Sequence, residues 1–146
     1  MPVEKILIET YADLLRRGVK FFSGTYSFDC GADACTIRIG EQFGLFLDCS
    51  KILTSRDEKK AVVHEWAHIT GNATYGVDSP PAVRQKAETY AERKEIKKLV
   101  PLDKLRKALR SGYTTISDLA EYFDLDEEDI GRALAYYTGP CGVVFK

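Results

Sequence analysis

Two different hydrophobic periods divide the first third of the chain. In residues 4–17, apolar side chains recur on one side of a helix that we expect to end near Gly18. Those side chains are Ile6, Leu7, Tyr11, Leu14 and Leu15. Residues 19–49 contain instead short β-rich runs separated by glycine and aspartate. This pattern predicts three short strands, mostly antiparallel and joined by hairpins.

Helical signals dominate from Ser55 onward. Ser55 and Glu58 have the spacing of a capping box in front of an apolar stretch, so a helix is predicted to begin there. It should run to about Thr70, with Gly71 as its C-terminal stop. After a loop, a second helix is predicted to begin near Pro81, because proline suits the first turn of a helix.

Proline and glycine also delimit the predicted C-terminal elements. The second helix should extend to Val100, where Pro101 breaks it, and a further short helix should close at Gly112. Residues 114–137 have the apolar spacing of two short helices joined by a tight turn, and residues 138–146 have no clear assignment. We find no internal repeat and no low-complexity linker, so the sequence predicts a single α+β domain.

The composition narrows the class of protein. The chain has 146 residues, 45% of them hydrophobic and 29% charged, and a formal net charge of −1. With this balance, no global basic field exists to attract nucleic acid or anionic lipid. The N-terminal segment MPVEKILIET carries acids early, unlike a signal peptide, and no apolar run approaches the roughly 20 residues that a membrane span needs. We therefore expect a cytoplasmic protein with no membrane partner.

The cysteines leave two interpretations. Cys30 and Cys35 have a spacing too loose for a strong zinc-knuckle signal, and no second close pair follows them. Reduced thiols in a cytosolic domain are the ordinary interpretation of the four cysteines. The alternative is that Cys30 and Cys35 form a redox pair or an accessory metal site.

Candidate chemistry is concentrated in AVVHEWAHIT, the stretch Ala61–Thr70, which holds both histidines of the chain. His64 and His68 lie at helical positions i and i+4, so two neutral imidazoles on one helix face can bind one zinc ion. Glu65 follows the first histidine, where its carboxylate can reach the attacking water without binding the metal, and can act as general base and then acid. The structural alternative is a core helix whose imidazoles are polar fillers, but the specificity of H-E-x-x-H favours the metal.

A zinc enzyme of this kind needs a third protein ligand. Because no histidine remains, the ligand must be a carboxylate or a thiolate. The carboxylate candidates are Asp78 in the connecting loop and Glu88, Glu92 and Glu95 on the next helix. Glu88 is preferred on position, although spacing alone does not separate it from Glu92.

Two tyrosines are candidates for stabilising the oxyanion of the reaction, which requires a hydrogen-bond donor. Tyr75 lies in the loop after the H-E-x-x-H helix, and Tyr90 lies on the helix that carries Glu88. The alternatives are that Tyr75 anchors the loop and that Tyr90 faces the core.

Three segments together resemble one known family. They are VVHEWAHITGNATY, VRQKAETYAERKEIKKLVPLDKLRKAL and GYTTISDLAEYFDLDEEDIGRALAYY. The chain is similar here to the ImmA/IrrE zinc metallopeptidases, and most of all to short versions from phages and mobile elements of Gram-positive bacteria. In that family, HExxH is followed by a helix with the pattern E-x-x-A-[DN], then by a hydrophobic dipeptide and proline. The matching residues here are Glu88, Ala91 and Glu92, followed by Leu99, Val100 and Pro101.

The resemblance implies that His64, His68 and Glu88 are ligands of Zn²⁺ and that Glu65 is the catalytic base. It implies a catalytic core in residues 1–100 and a helical extension in residues 101–146. Three positions depart from the family: Glu92 replaces the usual aspartate or asparagine, Lys94 stands where an aromatic residue is common, and Glu95 stands where a small residue is common. These departures affect the packing behind the helix and leave the metal ligands in place.

The resemblance also implies a substrate class. Characterised members of the family cleave a helix-turn-helix repressor, so we expect a zinc metallo-endopeptidase acting on a protein such as the repressor of a phage or mobile element. The alternative is a non-catalytic anti-repressor that binds and sequesters the repressor. The oligomeric state is not predicted.

The C-terminal helices have helix-turn-helix spacing themselves, which raises the possibility of direct DNA binding. Their charge argues against it, because a recognition helix approaches phosphates with lysine and arginine. Between residues 114 and 135, Arg132 is the one basic residue among Asp118, Glu121, Asp124, Asp126, Glu127, Glu128 and Asp129. We therefore expect a structural lid or a docking surface for a basic protein, with no direct contact to nucleic acid.

Overall fold

A small sheet follows the first helix of the chain, and helices make up the remainder. The computed structural model describes residues 3–26, 28, 32–76 and 78–145. Its elements in chain order are α1 (Val3–Arg16), β1 (Lys20–Gly24), β2 (Ala34–Ile39), β3 (Gln42–Asp48), α2 (Ser55–Thr70), α3 (Pro81–Leu99), α4 (Leu102–Arg110), α5 (Ile116–Phe123) and α6 (Glu127–Thr138). The predicted α+β class is confirmed.

The sheet is mixed rather than mostly antiparallel. Its strand order is β1-β3-β2. β2 and β3 form the predicted antiparallel hairpin, with Ile39 opposite Gln42 beside the turn. β1 pairs in parallel with β3, with Lys20 opposite Gly44 and Gly24 opposite Asp48. The expectation of hairpin links throughout was therefore wrong for β1.

Strand direction was missed because the hydrophobic alternation of a strand is the same in parallel and antiparallel pairs. After β1 the chain crosses to the far edge of the sheet, forms β2 there, and returns as the central strand β3. This path leaves β2 as an edge strand. Leu45 and Leu47 of β3 are buried, and the sheet face that they share lies against α1 and α2.

Helix α2 begins at Ser55 as predicted, but its N-cap differs by one residue from the prediction. Thr54 is the N-cap, and its hydroxyl accepts a hydrogen bond from the backbone N–H of Asp57 at 3.1 Å. The predicted capping box of Ser55 and Glu58 is wrong, because Ser55 is already helical and the Glu58 carboxylate accepts a hydrogen bond from the Tyr11 hydroxyl instead, at 2.9 Å. Threonine and serine are both favoured N-cap residues, so the sequence alone did not decide between Thr54 and Ser55.

The later helix boundaries agree closely with the predictions. α2 ends at Thr70 with Gly71 as its C-cap, and α3 begins at Pro81 and ends at Leu99. α4, α5 and α6 lie in the segments predicted for them. Among the described residues, no helix combines the length and apolarity that crossing a bilayer requires.

Helix α2 lies between two hydrophobic clusters. Val62 contributes to a cluster with α1 and the sheet, and Val63 contributes to a cluster with α3 and the C-terminal helices; both valines are fully buried. The first cluster also contains Leu14, Val19, Leu45, Leu47 and Ile69, and the second also contains Ile96, Leu99, Leu105, Phe123 and Ile130. The helix with the H-E-x-x-H motif is therefore held on both sides, as a rigid support for its polar side chains.

The acidic segment of the C-terminal helices is partly neutralised within the chain. Arg56 pairs with Asp124 at 2.7 Å, and Lys60 pairs with both Asp126 and Asp129 at 2.9 Å. These ion pairs join the start of α6 and the end of α5 to the first turns of α2. Three of the acids expected on a docking surface therefore have basic partners within the chain.

Candidate metal centre

The two histidines of α2 point toward one place. One helical turn separates His64 from His68, and their ring centroids are 4.8 Å apart. The Nε2 atoms of the two rings face each other at 3.2 Å. The histidines are therefore not scattered fillers of an apolar helix face, because their ring nitrogens converge.

The opposite ring nitrogen of each histidine is hydrogen bonded. Nδ1 of His68 lies 2.8 Å from the backbone carbonyl oxygen of Ala73, and Nδ1 of His64 lies 2.9 Å from Oε2 of Glu95. A carbonyl oxygen and an ionised carboxylate only accept hydrogen bonds, so both Nδ1 atoms act as donors. In the neutral rings, both Nε2 atoms then present lone pairs, and this is the form of histidine that binds metals.

Glu88 completes the arrangement from α3. Its Oε2 lies 3.2 Å from Nε2 of His64, and its Oε1 lies 3.3 Å from Nε2 of His68. The Tyr75 hydroxyl donates a hydrogen bond to the same carboxylate, at 2.7 Å from Oε1. Small side chains allow this approach, since Ala87 and Ala91 of α3 are buried.

The other predicted ligand candidates lie elsewhere. The Glu92 carboxylate accepts a hydrogen bond from Arg132 at 3.2 Å, and Glu95 lies on the far side of the His64 ring from Glu88. Asp78 is exposed in the loop before α3. Within the described ranges, the side chains that could hold a metal ion are His64, His68 and Glu88, whose ligand atoms all lie within 4.8 Å of one another.

The shortest separations among the three side chains are close to those expected around a metal ion. Two ligand atoms that are each about 2.0–2.1 Å from a tetrahedral zinc ion are about 3.3 Å apart. The two Nε2 atoms are 3.2 Å apart, while Glu88 lies 3.2 Å from Nε2 of His64 through Oε2 and 3.3 Å from Nε2 of His68 through Oε1. With one oxygen counted for Glu88, the three ligand atoms lie within 4.8 Å of one another. Lone pairs that face each other at this distance repel unless a proton or a metal ion lies between them. The donor set therefore suits a divalent cation.

The charged groups around the site also favour a bound cation. Burial disfavours the imidazolium form of His64, but that form donates hydrogen bonds to both Glu88 and Glu95, which outweigh the burial and raise the pKa of His64 to about 10. The pKa of His68 is also raised, against its burial, by Glu88 and by the Ala73 carbonyl. Hydrogen bonds with His64 and His68 hold the pKa of Glu88 well below its ordinary value. Carboxylates thus create a negative potential where the two rings meet.

Glu65 lies beside the donors and faces the sheet. Its side chain is buried, and its Oε2 accepts a hydrogen bond from the Thr36 hydroxyl of β2 at 2.5 Å. Its negative charge is close enough to raise the pKa values of both His64 and His68. Glu65 is therefore close to both rings without belonging to the donor set, and its role as a base stays a prediction.

The two tyrosine candidates differ in position. Tyr75 lies at the site, with its hydroxyl on Glu88 and its ring centroid 6.3 Å from that of His68. The Tyr90 ring lies at the end of α2, where a Cβ added to Gly71 would be 2.2 Å from its Cε1 atom. Tyr90 is half exposed there. Of the two, Tyr75 is the one whose hydroxyl the structure brings to the donors.

Sequence reasoning missed two contacts of this site. Glu95 was considered only as a metal ligand, although its place seven residues after Glu88 puts it about two turns further along the same helix face. That spacing was the available signal for its contact with His64. Thr36 gave no signal, because its contact with Glu65 spans 29 positions of the chain and depends on how the sheet packs on α2.

The predicted cysteine pair falls partly outside the described residues. Cys35 is half buried on β2, and Cys30 is not among the residues that the structure describes. The alternative of a redox or metal pair stays a prediction.

Comparison of the chain with models of protein families, with curated proteins and with solved structures finds no match.

Proposed function

We propose that this chain is a zinc-dependent metallo-endopeptidase. The observation that carries the proposal is the convergence of His64, His68 and Glu88, whose ligand atoms lie within 4.8 Å of one another, with the charge of Glu65 close enough to act on both rings. Two imidazoles and one carboxylate are the protein ligands of a known class of catalytic zinc site, which leaves a coordination position for water or substrate. A zinc ion held there supplies Lewis-acid polarisation of the scissile carbonyl and lowers the pKa of water.

Glu65 is the general base and acid of the proposed reaction. Its carboxylate takes a proton from the attacking water, whose oxygen bonds to the carbonyl carbon, and then delivers that proton to the leaving nitrogen as the C–N bond breaks. The hydrogen bond from Thr36 fixes Oε2 of Glu65, so we assign the proton transfer to Oε1. Burial among the sheet and α2 keeps the carboxylate in one orientation, as proton transfer requires.

Tyr75 supports the site from the connecting loop. Its hydroxyl donates to Glu88, which holds the carboxylate toward the two rings. The aromatic ring is half exposed, and the guanidinium of Arg84 lies 5.8 Å from its centroid. The single O–H of this phenol can turn from Glu88 to an oxygen that gains charge during the reaction, so Tyr75 is our candidate for oxyanion stabilisation and Tyr90 is not.

We propose a protein substrate, such as the helix-turn-helix repressor of a phage or mobile element. The support for this class is the sequence resemblance to the ImmA/IrrE family, in its H-E-x-x-H and E-x-x-A segments. The acidic face of α5 and α6 suits a basic protein better than nucleic acid, although part of its charge is paired with Arg56 and Lys60.

The test separates an enzyme from a sequestering protein. The zinc-loaded chain is incubated with a helix-turn-helix repressor encoded beside its gene, and new peptide termini are identified by mass spectrometry. Glu65→Gln should keep zinc and lower the cleavage rate by about 10²–10⁴-fold, because only the base is removed. Glu92→Gln, on the neighbouring helix, is the matched control and should cleave normally. Repressor that is bound but not cleaved by the parent chain would favour the non-catalytic alternative and reject the peptidase.

A further inference from the structure

The two histidines of the site are held by chemically different partners. His68 donates from Nδ1 to a neutral backbone carbonyl, that of Ala73, at 2.8 Å. His64 donates from Nδ1 to a carboxylate, that of Glu95, at 2.9 Å. A carboxylate partner fixes the ring more strongly and makes Nε2 a better electron donor than a carbonyl partner does. The site therefore has one ring with a neutral partner and one with an anionic partner.

We propose that Glu95 is the positioning residue that sets the tautomer and basicity of His64 for metal binding. The inference rests on the metal site of the proposed function. It assigns to Glu95 a role at a position where the resembling family commonly has a small residue. It also separates Glu95 from Glu92, which stands at the aspartate or asparagine of the family pattern.

The burial of Glu95 supports this assignment. Glu95 is 7% exposed on α3, and burying a carboxylate without a partner to that extent would be costly in free energy. The His64 N–H supplies a hydrogen bond to Oε2, and the guanidinium of Arg132 adds a favourable charge interaction nearby. Burying the Glu95 carboxylate costs solvation free energy. Its hydrogen bond with the His64 ring is the contact that explains why a carboxylate is buried there.

The spacing of Glu88 and Glu95 on α3 explains how one helix places a carboxylate on each side of the His64 ring. Glu88 and Glu95 are seven residues apart, about two turns, and therefore project from the same helix face. Glu95 accepts the Nδ1–H of His64, and Glu88 faces Nε2 across the proposed metal position, so α3 supplies a carboxylate at each nitrogen of the ring. A rotation of the ring would break the hydrogen bond to Glu95 and turn Nε2 away from the proposed metal position.

Glu92 provides a matched comparison on the same helix. Its side chain is 42% exposed, and its carboxylate lies 3.2 Å from Arg132. Glu92 and Glu95 thus share a residue type, a helix and the proximity of Arg132, and they differ in the contact with His64. Comparing the two isolates the effect of that contact.

The experiment measures zinc affinity and the state of the His64 ring in the full chain. Zinc affinity is determined by competition with a chromophoric chelator for the parent, Glu95→Gln and Glu92→Gln. Imidazole ¹⁵N–¹H NMR of the zinc-loaded chains reports which ring nitrogen of His64 carries the proton. We expect Glu95→Gln to weaken zinc binding by about 10–100-fold and to alter the Nδ1–H signal of His64. Glu92→Gln should leave both measurements near those of the parent.

Each outcome is decisive. A Glu95→Gln chain that binds zinc within about threefold of the parent overturns the inference, as does an equal loss in Glu92→Gln. If Glu95→Gln does not fold, the NMR spectrum of the parent decides: a proton on Nδ1 of His64 with the metal on Nε2 supports the inference, and the reverse arrangement overturns it. A parent chain that binds no zinc rejects the proposed function as well, so the two failures are distinguishable.

Discussion

Lys59 fastens the C-terminal helices to the helix that carries the histidines. Its side chain is 1% exposed, and its ammonium group donates to the carbonyl oxygens of Phe123 at 3.2 Å and Asp124 at 2.9 Å. Both carbonyls lie at the end of α5, where the last acceptors of a helix have no partner within it. Burial lowers the pKa of Lys59, against a favourable interaction with Asp124, so the charge is kept at some cost.

Substituting Lys59→Met tests this contact with the length of the side chain nearly preserved. Each interior carbonyl left without a donor costs about 1–3 kcal/mol, and removing a buried ammonium group returns part of that loss. We expect a net decrease of about 2 kcal/mol in the free energy of unfolding. Urea unfolding followed by circular dichroism measures this value at neutral pH.

The neighbouring Lys60→Met is the matched control. The Lys60 side chain is 27% exposed and pairs with Asp126 and Asp129, so its loss should cost less than about 1 kcal/mol. A Lys59→Met chain as stable as the parent would refute the reasoning, because the burial of the charge would then outweigh its two hydrogen bonds. A greater loss for Lys60→Met than for Lys59→Met would refute it as well.

Three further predictions concern the site and its support. Thr36→Val removes the hydroxyl that donates to Glu65, and should lower peptide cleavage by about tenfold with zinc content unchanged, while Thr36→Ser should restore the rate. Parent-like cleavage by Thr36→Val would contradict the positioning of the base. Burial raises the pKa of Tyr137 to about 12, so the unfolded chain ionises first and the free energy of unfolding should fall as pH rises from about 10 to 12. Tyr137→Phe should lose stability less steeply over this range, and an equally steep loss would reject the assignment. Gly71→Ala places a methyl group 2.2 Å from a ring carbon of Tyr90 and should cost about 1–3 kcal/mol in urea unfolding, part of it recovered by adding Tyr90→Ala. If Gly71→Ala left the free energy of unfolding unchanged, the Tyr90 ring would have to move aside at no cost.

Local signals in the sequence predicted most of the helices and the placement of the two histidines on one helix face. The i, i+4 spacing of His64 and His68 needs only a helix, and the helix was readable from its apolar pattern and from Gly71 at its end. The start of α3 at Pro81 followed from the preference of proline for the first turn. Features whose causes lie within one or two helical turns were therefore predictable.

Features that depend on how elements pack were not predictable in the same way. Glu88 and Glu92 are one turn apart and nearly equivalent in sequence, and the orientation of α3 against α2 brings Glu88 to the rings and Glu92 to Arg132. The parallel pairing of β1 and the contact of Thr36 with Glu65 also depend on where the chain crosses the sheet. No local periodicity carries that information.

The central claim is that His64, His68 and Glu88 bind one metal ion. Zinc titration with elemental analysis, applied to the parent chain and to Glu88→Ala and Glu92→Ala, tests it most directly. We predict about one zinc per parent chain, near-parent binding by Glu92→Ala, and a loss of more than about 100-fold in affinity for Glu88→Ala, which exceeds the usual effect of removing a residue that only orients a ligand. Unchanged zinc affinity in Glu88→Ala, with its loss in Glu92→Ala, would contradict the account.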